Sequence, residues 1–157
     1  MITYRSETLL TSKEKNLLNN ILEWYKNNPQ HLETFLSIIK GKSNVTCTNL
    51  DFIIHNVIDI SNKYEVKLHK YTIAYFDVFC RNQKLVFYYG ENNSNCFLSS
   101  LGQLNFFKWA FENNVIEYAN INCDQIDQDK RLFLKNLKNQ RSRQIIINDN
   151  RLIKDNE

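Results

Sequence analysis

The chain has 157 residues, 43% of them hydrophobic and 24% charged, with a formal net charge of +3. That balance excludes a disordered tail, and that length points to one folded domain able to bury a core. Its longest apolar runs are a few residues, against the roughly 20 that a bilayer-spanning helix needs, and residues 1–10 show no signal-peptide pattern, so neither a membrane protein nor a secreted one is expected.

In chain order, Met1 to Leu10 reads as a loose lead-in. Ser12 is a suitable N-cap for a helix over about Lys13 to Lys26, with Leu17, Leu18, Ile21, Leu22 and Tyr25 on one face. Asn28-Pro29 repeats the start signal, Asn as cap and Pro at the first helical position, and the second helix stops at Gly41. After a polar loop, Thr48 with Asp51 three residues on predicts a third helix running towards Tyr64 through Leu50, Ile53, Ile54 and Val57.

From Val66 the period changes. Thr72 to Cys80 and Lys84 to Tyr89 are rich in aromatic and β-branched residues, and the short link Arg81-Asn82-Gln83 predicts antiparallel strands. Gly90 to Asn95 is a turn, and Cys96 to Leu98 adds a third short strand. So small a sheet needs a helix over one face. Ser99 to Ala119 is the obvious cover: Leu101, Leu104, Phe107, Phe111, Val115 and Tyr118 form a stripe that Phe106, Trp109 and Ala110 widen nearly all round. Ser100 is its expected cap, with the Gln103 amide reaching back to it. Asn105, polar in that run, must find hydrogen-bond partners if buried, and is expected to tie the helix to a loop or strand. Asp127 or Asp124 begins a last helix to about Arg141 with a narrow stripe of Phe133, Leu134 and Leu137; Gln144 to Asn148 is a terminal strand or a binding tail, and Asp149 to Glu157 is frayed.

The charge is unevenly placed. Residues 91–129 carry one basic and six acidic side chains, whereas residues 130–157 carry eight basic and three acidic ones. Lys130 to Arg143 holds six cations and no acid, and Arg131, Lys135 and Lys138 share a helical face. Such a face suits a phosphate backbone; it also reads as a solvated helix balancing the acidic block. A second patch sets Lys67, Lys70, Arg81 and Lys84 among Tyr71, Tyr75, Phe76, Phe79, Tyr88 and Tyr89, which either stack bases or form the inner face of the sheet. Asp77 with Arg81 reads as an ion pair at a turn.

No H-E-x-x-H, G-x-S-x-G or phosphate-cradling Gly-rich loop is present, and with three Gly in all such loops are hard to build, so no enzyme is expected. Cys47, Cys80, Cys96 and Cys123 form no C-x-x-C pair and read as reduced, partly buried thiols; no metal or cofactor is expected from their spacing or from the three His.

The run Leu101-Gly-Gln-Leu-Asn-Phe-Phe-Lys-Trp-Ala-Phe-Glu-Asn-Asn-Val-Ile-Glu-Tyr118 resembles the GQLNFFRWA helix of a family of small uncharacterised proteins of nucleocytoplasmic large DNA viruses, the giant viruses of the mimivirus and chlorella-virus kind. Phe35 to Gly41 and Leu50 to Asn56 are similar to a helix end and third helix of that family, and Tyr75 to Arg81 is similar to its FDPFCR segment, with Val78 where Pro is usual. Thr48-Asn49 stands where the family tends to place a basic residue, which weakens that loop as a phosphate contact. The resemblance covers residues 12–120 and implies a viral origin, in host cytoplasm at the viral factory or in the virion, with no activity to carry over.

The expected fold is α+β: a predominantly helical single domain with a small antiparallel sheet packed on a central buried helix, residues 1–126, followed by a basic C-terminal helix and tail, residues 127–157. The expected function is non-enzymatic association with nucleic acid through Lys67, Lys70, Arg81, Lys84, Arg131, Lys135, Lys138, Arg141 and Arg143. The alternative is a virion or assembly protein whose last helix docks onto a viral partner or a second copy.

Overall fold

Two helices joined at Asn28 begin the helical part of the fold in the computed structural model, which describes residues 2–5 and 10–155. Helix α1 (Ser12–Asn27) is capped by Thr11, one residue before the expected Ser12, because Glu14 three residues on completes a capping box: the Thr11 amide donates to Glu14 Oε1 at 3.0 Å and the Glu14 amide to Thr11 Oγ1 at 3.1 Å. Pro29 does begin α2 (Pro29–Ile39), but the Asn28 side chain turns back to donate to the Trp24 carbonyl at 2.8 Å and so closes α1. Gly41, at φ +72°, ends α2: the Lys42 amide reaches the Ser37 carbonyl at 2.9 Å, a closure that needs the left-handed conformation glycine allows.

The third helix is two. Helix α3 (Cys47–Asn56) is capped by Thr46, not Thr48, and stops at Val57, whose backbone is extended (φ −94°, ψ 107°). Helix α4 (Ile58–Tyr75) follows, with Thr72 (φ 62°, ψ 167°) breaking its last turn. The strand expected over Thr72 to Cys80 is therefore absent. Tyr64, Leu68, Tyr71 and Tyr75 recur at helical spacing, and the α4 period over Lys63 to Tyr71 outweighs the β propensity of the aromatics that follow. Beyond Phe76 the chain is irregular because the Asp77 carboxylate accepts the Phe79 amide at 3.2 Å, which satisfies the backbone locally and removes it from any ladder. Val78 is buried in this turn and adds no strand.

The sheet takes its third strand from the N-terminus. Strand β1 (Thr3–Arg5), β2 (Leu85–Tyr89) and β3 (Asn95–Ser99) are antiparallel in the order β1-β2-β3, with Tyr4 opposite Phe87 and Phe87 opposite Phe97. The expected lead-in is thus paired over residues 3–5. Leu85, Phe87, Phe97 and Ser99 face inward, and Phe35 of α2 stands edge-on both to Phe97, at 5.8 Å between ring centroids, and to Phe107, at 4.8 Å.

Phe107 belongs to α5 (Leu101–Glu112), the buried centre of the fold. Its Leu101 to Phe107 run is buried without a gap, and Trp109 and Ala110 join it. The predicted single helix to Ala119 breaks at Asn113-Asn114, where Asn114 has φ 58°, and resumes as α6 (Val115–Ile121). Three side chains pin α5. The Tyr25 hydroxyl donates to the Leu104 carbonyl at 2.9 Å, and Asn105 donates to the Tyr75 carbonyl at 2.7 Å, as its position in the run demanded. Ser100 caps the helix as expected. Gln103 does not reach back to it: its Oε1 accepts from Ser99 at 2.7 Å and its amide donates to the Val78 carbonyl at 3.0 Å. Every buried side-chain polar atom among the described residues is hydrogen-bonded.

Gly102 is the closest backbone approach. A Cβ there would sit 3.0 Å from the Ala74 carbonyl oxygen and 3.3 Å from the Phe76 amide nitrogen, while the Gly102 carbonyl accepts the Asp77 amide at 3.1 Å. Gly102→Ala is accordingly expected to cost about 1 to 3 kcal/mol in chemical denaturation, because backbone on both sides must give way.

The last helix, α7 (Cys123–Asp155), runs past the Arg141 end expected for it and takes in both the strand placed at Gln144 to Asn148 and the Asp149 to Asp155 part of the frayed end; Asn156 and Glu157 lie outside the described residues. The Ile-rich run stays helical as a continuation of α7. The chain forms two compact units, Met1–Ile121 and Asn122–Glu157, and its fold is α+β and mostly helical.

Candidate nucleic-acid interface

The cations selected from sequence fall into two groups, one in each unit. In the first, Lys67 and Lys70 stand on α4 and not, as expected, beside a strand. Their ammonium groups lie 6.0 and 5.2 Å from the centroid of the half-exposed Tyr71 ring, so the structure gathers two cations around one aromatic ring. Lys84, in the approach to β2, is exposed.

Arg81 is held differently. Its Nε and Nη2 donate to the two oxygens of Asp77 at 2.9 and 2.6 Å, and its guanidinium lies 5.0 Å from the Phe79 ring centroid. The Asp77 side chain is 4% exposed and that of Arg81 56%, so this fork brings a buried carboxylate to the surface cation that neutralises it. The hydrogen bonds to Asp77 hold the Arg81 pKa above its ordinary value. Arg81 thus secures the turn over Phe76 to Arg81, as the ion-pair reading held, and leaves less of its guanidinium to a ligand. Of the six aromatics expected there, Phe76 is core, while Tyr71, Tyr75, Phe79, Tyr88 and Tyr89 are half-buried.

The second group lies on α7. Arg131, Lys135, Lys138, Arg141 and Arg143 are all exposed, and their spacing leaves Arg131, Lys135 and Lys138 on one face. The acids Asp124, Asp127 and Asp129 precede them on the same helix.

Sequence spacing did not disclose the thiol groove. Cys47, Cys80 and Cys96 come from distant segments yet line one groove of about 560 Å³ with Lys40, Thr46 and Thr48. Burial pushes the Cys47 thiol up to about 11. Cys80 is also raised by burial, with Ser100 and Lys84 acting against the shift. Among the described residues no three His, Cys, Asp or Glu form a metal-holding group. Alkylation with iodoacetamide at pH 8, followed by peptide mass mapping, should label the exposed Cys96 first and Cys47 last; the Cys47 rate should rise with pH until about pH 11, since only the thiolate reacts. Equal rates at pH 8 would contradict this ordering.

A second groove, of about 500 Å³, includes His31, Thr34, Asn114 and Glu117. His31 packs there against both Trp24 and Phe111, at centroid distances of 5.2 and 4.4 Å. No helix among the described residues is long and apolar enough to cross a membrane.

Comparison with known proteins places these features in context. The profile of a family described as "Family of unknown function (DUF7197)" matches residues 2–157. An uncharacterized protein of Acanthamoeba polyphaga mimivirus is 29% identical over an alignment of 158 positions that covers 87% of this chain and 61% of that relative. The chain thus spans less than two thirds of that relative's length. No solved structure matches.

Proposed function

For a chain that belongs to this family of unknown function, with a mimivirus relative, we propose a non-enzymatic viral protein that associates with nucleic acid by its phosphate backbone. The observation that carries the reading is the cationic run of α7, six basic residues from Lys130 to Arg143 with no acid between them, of which all but the half-buried Lys130 are exposed. Cations at helical spacing neutralise phosphates without reading bases, so the binding is salt-sensitive and nearly indifferent to sequence. Lys67 and Lys70 beside Tyr71, with Lys84, supply a second contact at which a cation and a ring face meet a single strand; Arg81 mainly braces the loop that carries it. The site of action follows from such a partner: the viral factory in host cytoplasm, or the virion.

The test is titration of labelled duplex and single-stranded oligonucleotides of unrelated sequence between about 50 and 200 mM salt. Affinities that fall steeply with salt and agree between sequences support the reading. No binding at the low-salt end removes it.

A further inference from the structure

The sheet ends in a strand with one free edge. Strand β3 is the outer strand of the order β1-β2-β3, and among the described residues no backbone amide or carbonyl of Asn95 to Ser99 is hydrogen-bonded outside its ladder with β2. Alternate residues along it therefore turn an unpaired N–H and C=O outward. Proteins ordinarily guard such an edge with lysine, proline or a bulge. Asn95-Cys-Phe-Leu-Ser99 has no charge and no proline, and it pairs with β2 one residue to one over its whole length. The edge is also walled. The thiol groove is bordered by Cys96, Phe97 and Leu98 in succession; successive strand residues point to opposite faces, so a groove that meets all three runs along the edge of β3 and not over one face of the sheet. Its other wall is the end of α2, Ile38 to Gly41, and the start of α3, Thr46 and Cys47. A trough of about 560 Å³ between an edge strand and two helix ends suits an extended chain.

The chemistry of the groove narrows its occupant. Donors and acceptors repeated at strand spacing match a polypeptide backbone. Lys40 is the one charged side chain among the described residues that line the groove, and it is exposed, with its Nζ 3.3 Å from the Tyr89 hydroxyl, so the complementary charge is a carboxylate. Leu98, 53% exposed, offers an apolar contact beside it. We propose that this groove receives a short acidic segment of a partner protein, which adds to β3 as a fourth strand and sets a carboxylate against Lys40 and an apolar side chain against Leu98. None of the cations assigned to nucleic acid lines the groove, so the proposal stands apart from that reading.

Heptapeptides selected from a random phage-displayed library against the full chain, then synthesised and titrated, test it. The selected sequences should be enriched in Asp or Glu and should lack a central proline. Binding should slow amide hydrogen exchange in Asn95 to Ser99. N-Methylation along a selected peptide should weaken binding roughly tenfold at every second residue and little between, because an added strand turns only alternate amides to its neighbour. Lys40→Glu and Leu98→Glu alter exposed side chains, so each should leave the circular dichroism unchanged while weakening binding roughly tenfold. A selection that enriches nothing over a protein-free surface, a methylation scan without a two-residue period, exchange slowed only outside β3, an affinity unmoved by Lys40→Glu, or protection of β3 that arises in the concentrated chain alone, which would mark pairing with a second copy, would each overturn the proposal.

Discussion

Neutralising Arg131, Lys135 and Lys138 together, each to Gln, is expected to flatten the salt dependence of nucleic-acid binding. Each phosphate neutralised on duplex DNA contributes about 0.9 to the slope of log affinity against log salt, so three lost contacts lower it by about 2 to 3. Over a fourfold change in salt that removes a factor of roughly 40 from the fall in affinity, and the low-salt affinity itself drops. The three residues are exposed and share a face, so their loss should not disturb folding. The measurement is fluorescence anisotropy at several salt concentrations, with circular dichroism as a folding control. Lys67→Gln with Lys70→Gln supplies the comparison for the other patch. An unchanged slope in the triple variant would remove that face of α7 from the interface.

Phe107→Ala should be the most damaging single change to the fold. The ring is fully buried and meets Phe35 at 4.8 Å, Phe106 at 5.7 Å and Phe111 at 6.4 Å, so truncation opens a cavity among rings that cannot all collapse into it. The expected cost is about 3 to 5 kcal/mol, or on the order of 10 °C in midpoint for a chain of this size. Phe133→Ala, on the exposed part of α7, is the control and should lie within about 1 kcal/mol of wild type. Equal losses in the two variants would mean that α5 is not the centre of the core.

The fold and the site were legible to different depths. Where an element is defined by its own residues, its character could be read directly. Thr or Ser before a helical period, Pro29 at a helix start, Gly41 at an end and the apolar density of Leu101 to Ala110 are local signals, and caps moved by no more than a residue or two. Asn105 was readable for the same reason: a polar side chain inside such a run must find an acceptor, although which carbonyl it meets depends on α4. What failed depended on distant partners. Thr72 to Cys80 has the composition of a strand but no neighbour to pair with, and Asp77 takes its backbone into a turn. Thr3 to Arg5 has little composition to mark it, yet β2 offers a free edge. The thiol groove is also a product of folding, since nothing in the spacing of Cys47, Cys80 and Cys96 brings them together. Arg81 and the other cations could be named from the chain, but only the contact with Asp77 separates a cation that braces a loop from those left to solvent.

The register of β1 bears on how the chain is made. Its partners Val86, Phe87 and Tyr88 emerge from the ribosome long after Thr3 to Arg5, whereas β2 and β3 are joined by a short turn and can pair at once. Until the N-terminal strand returns across that long loop, the outer edge of β2 keeps unsatisfied amides and carbonyls beside the Phe87 ring, a template for strands of neighbouring nascent chains. Closing the sheet is therefore a late, entropically costly step of synthesis, and it is during this interval that the protein is most open to aggregation.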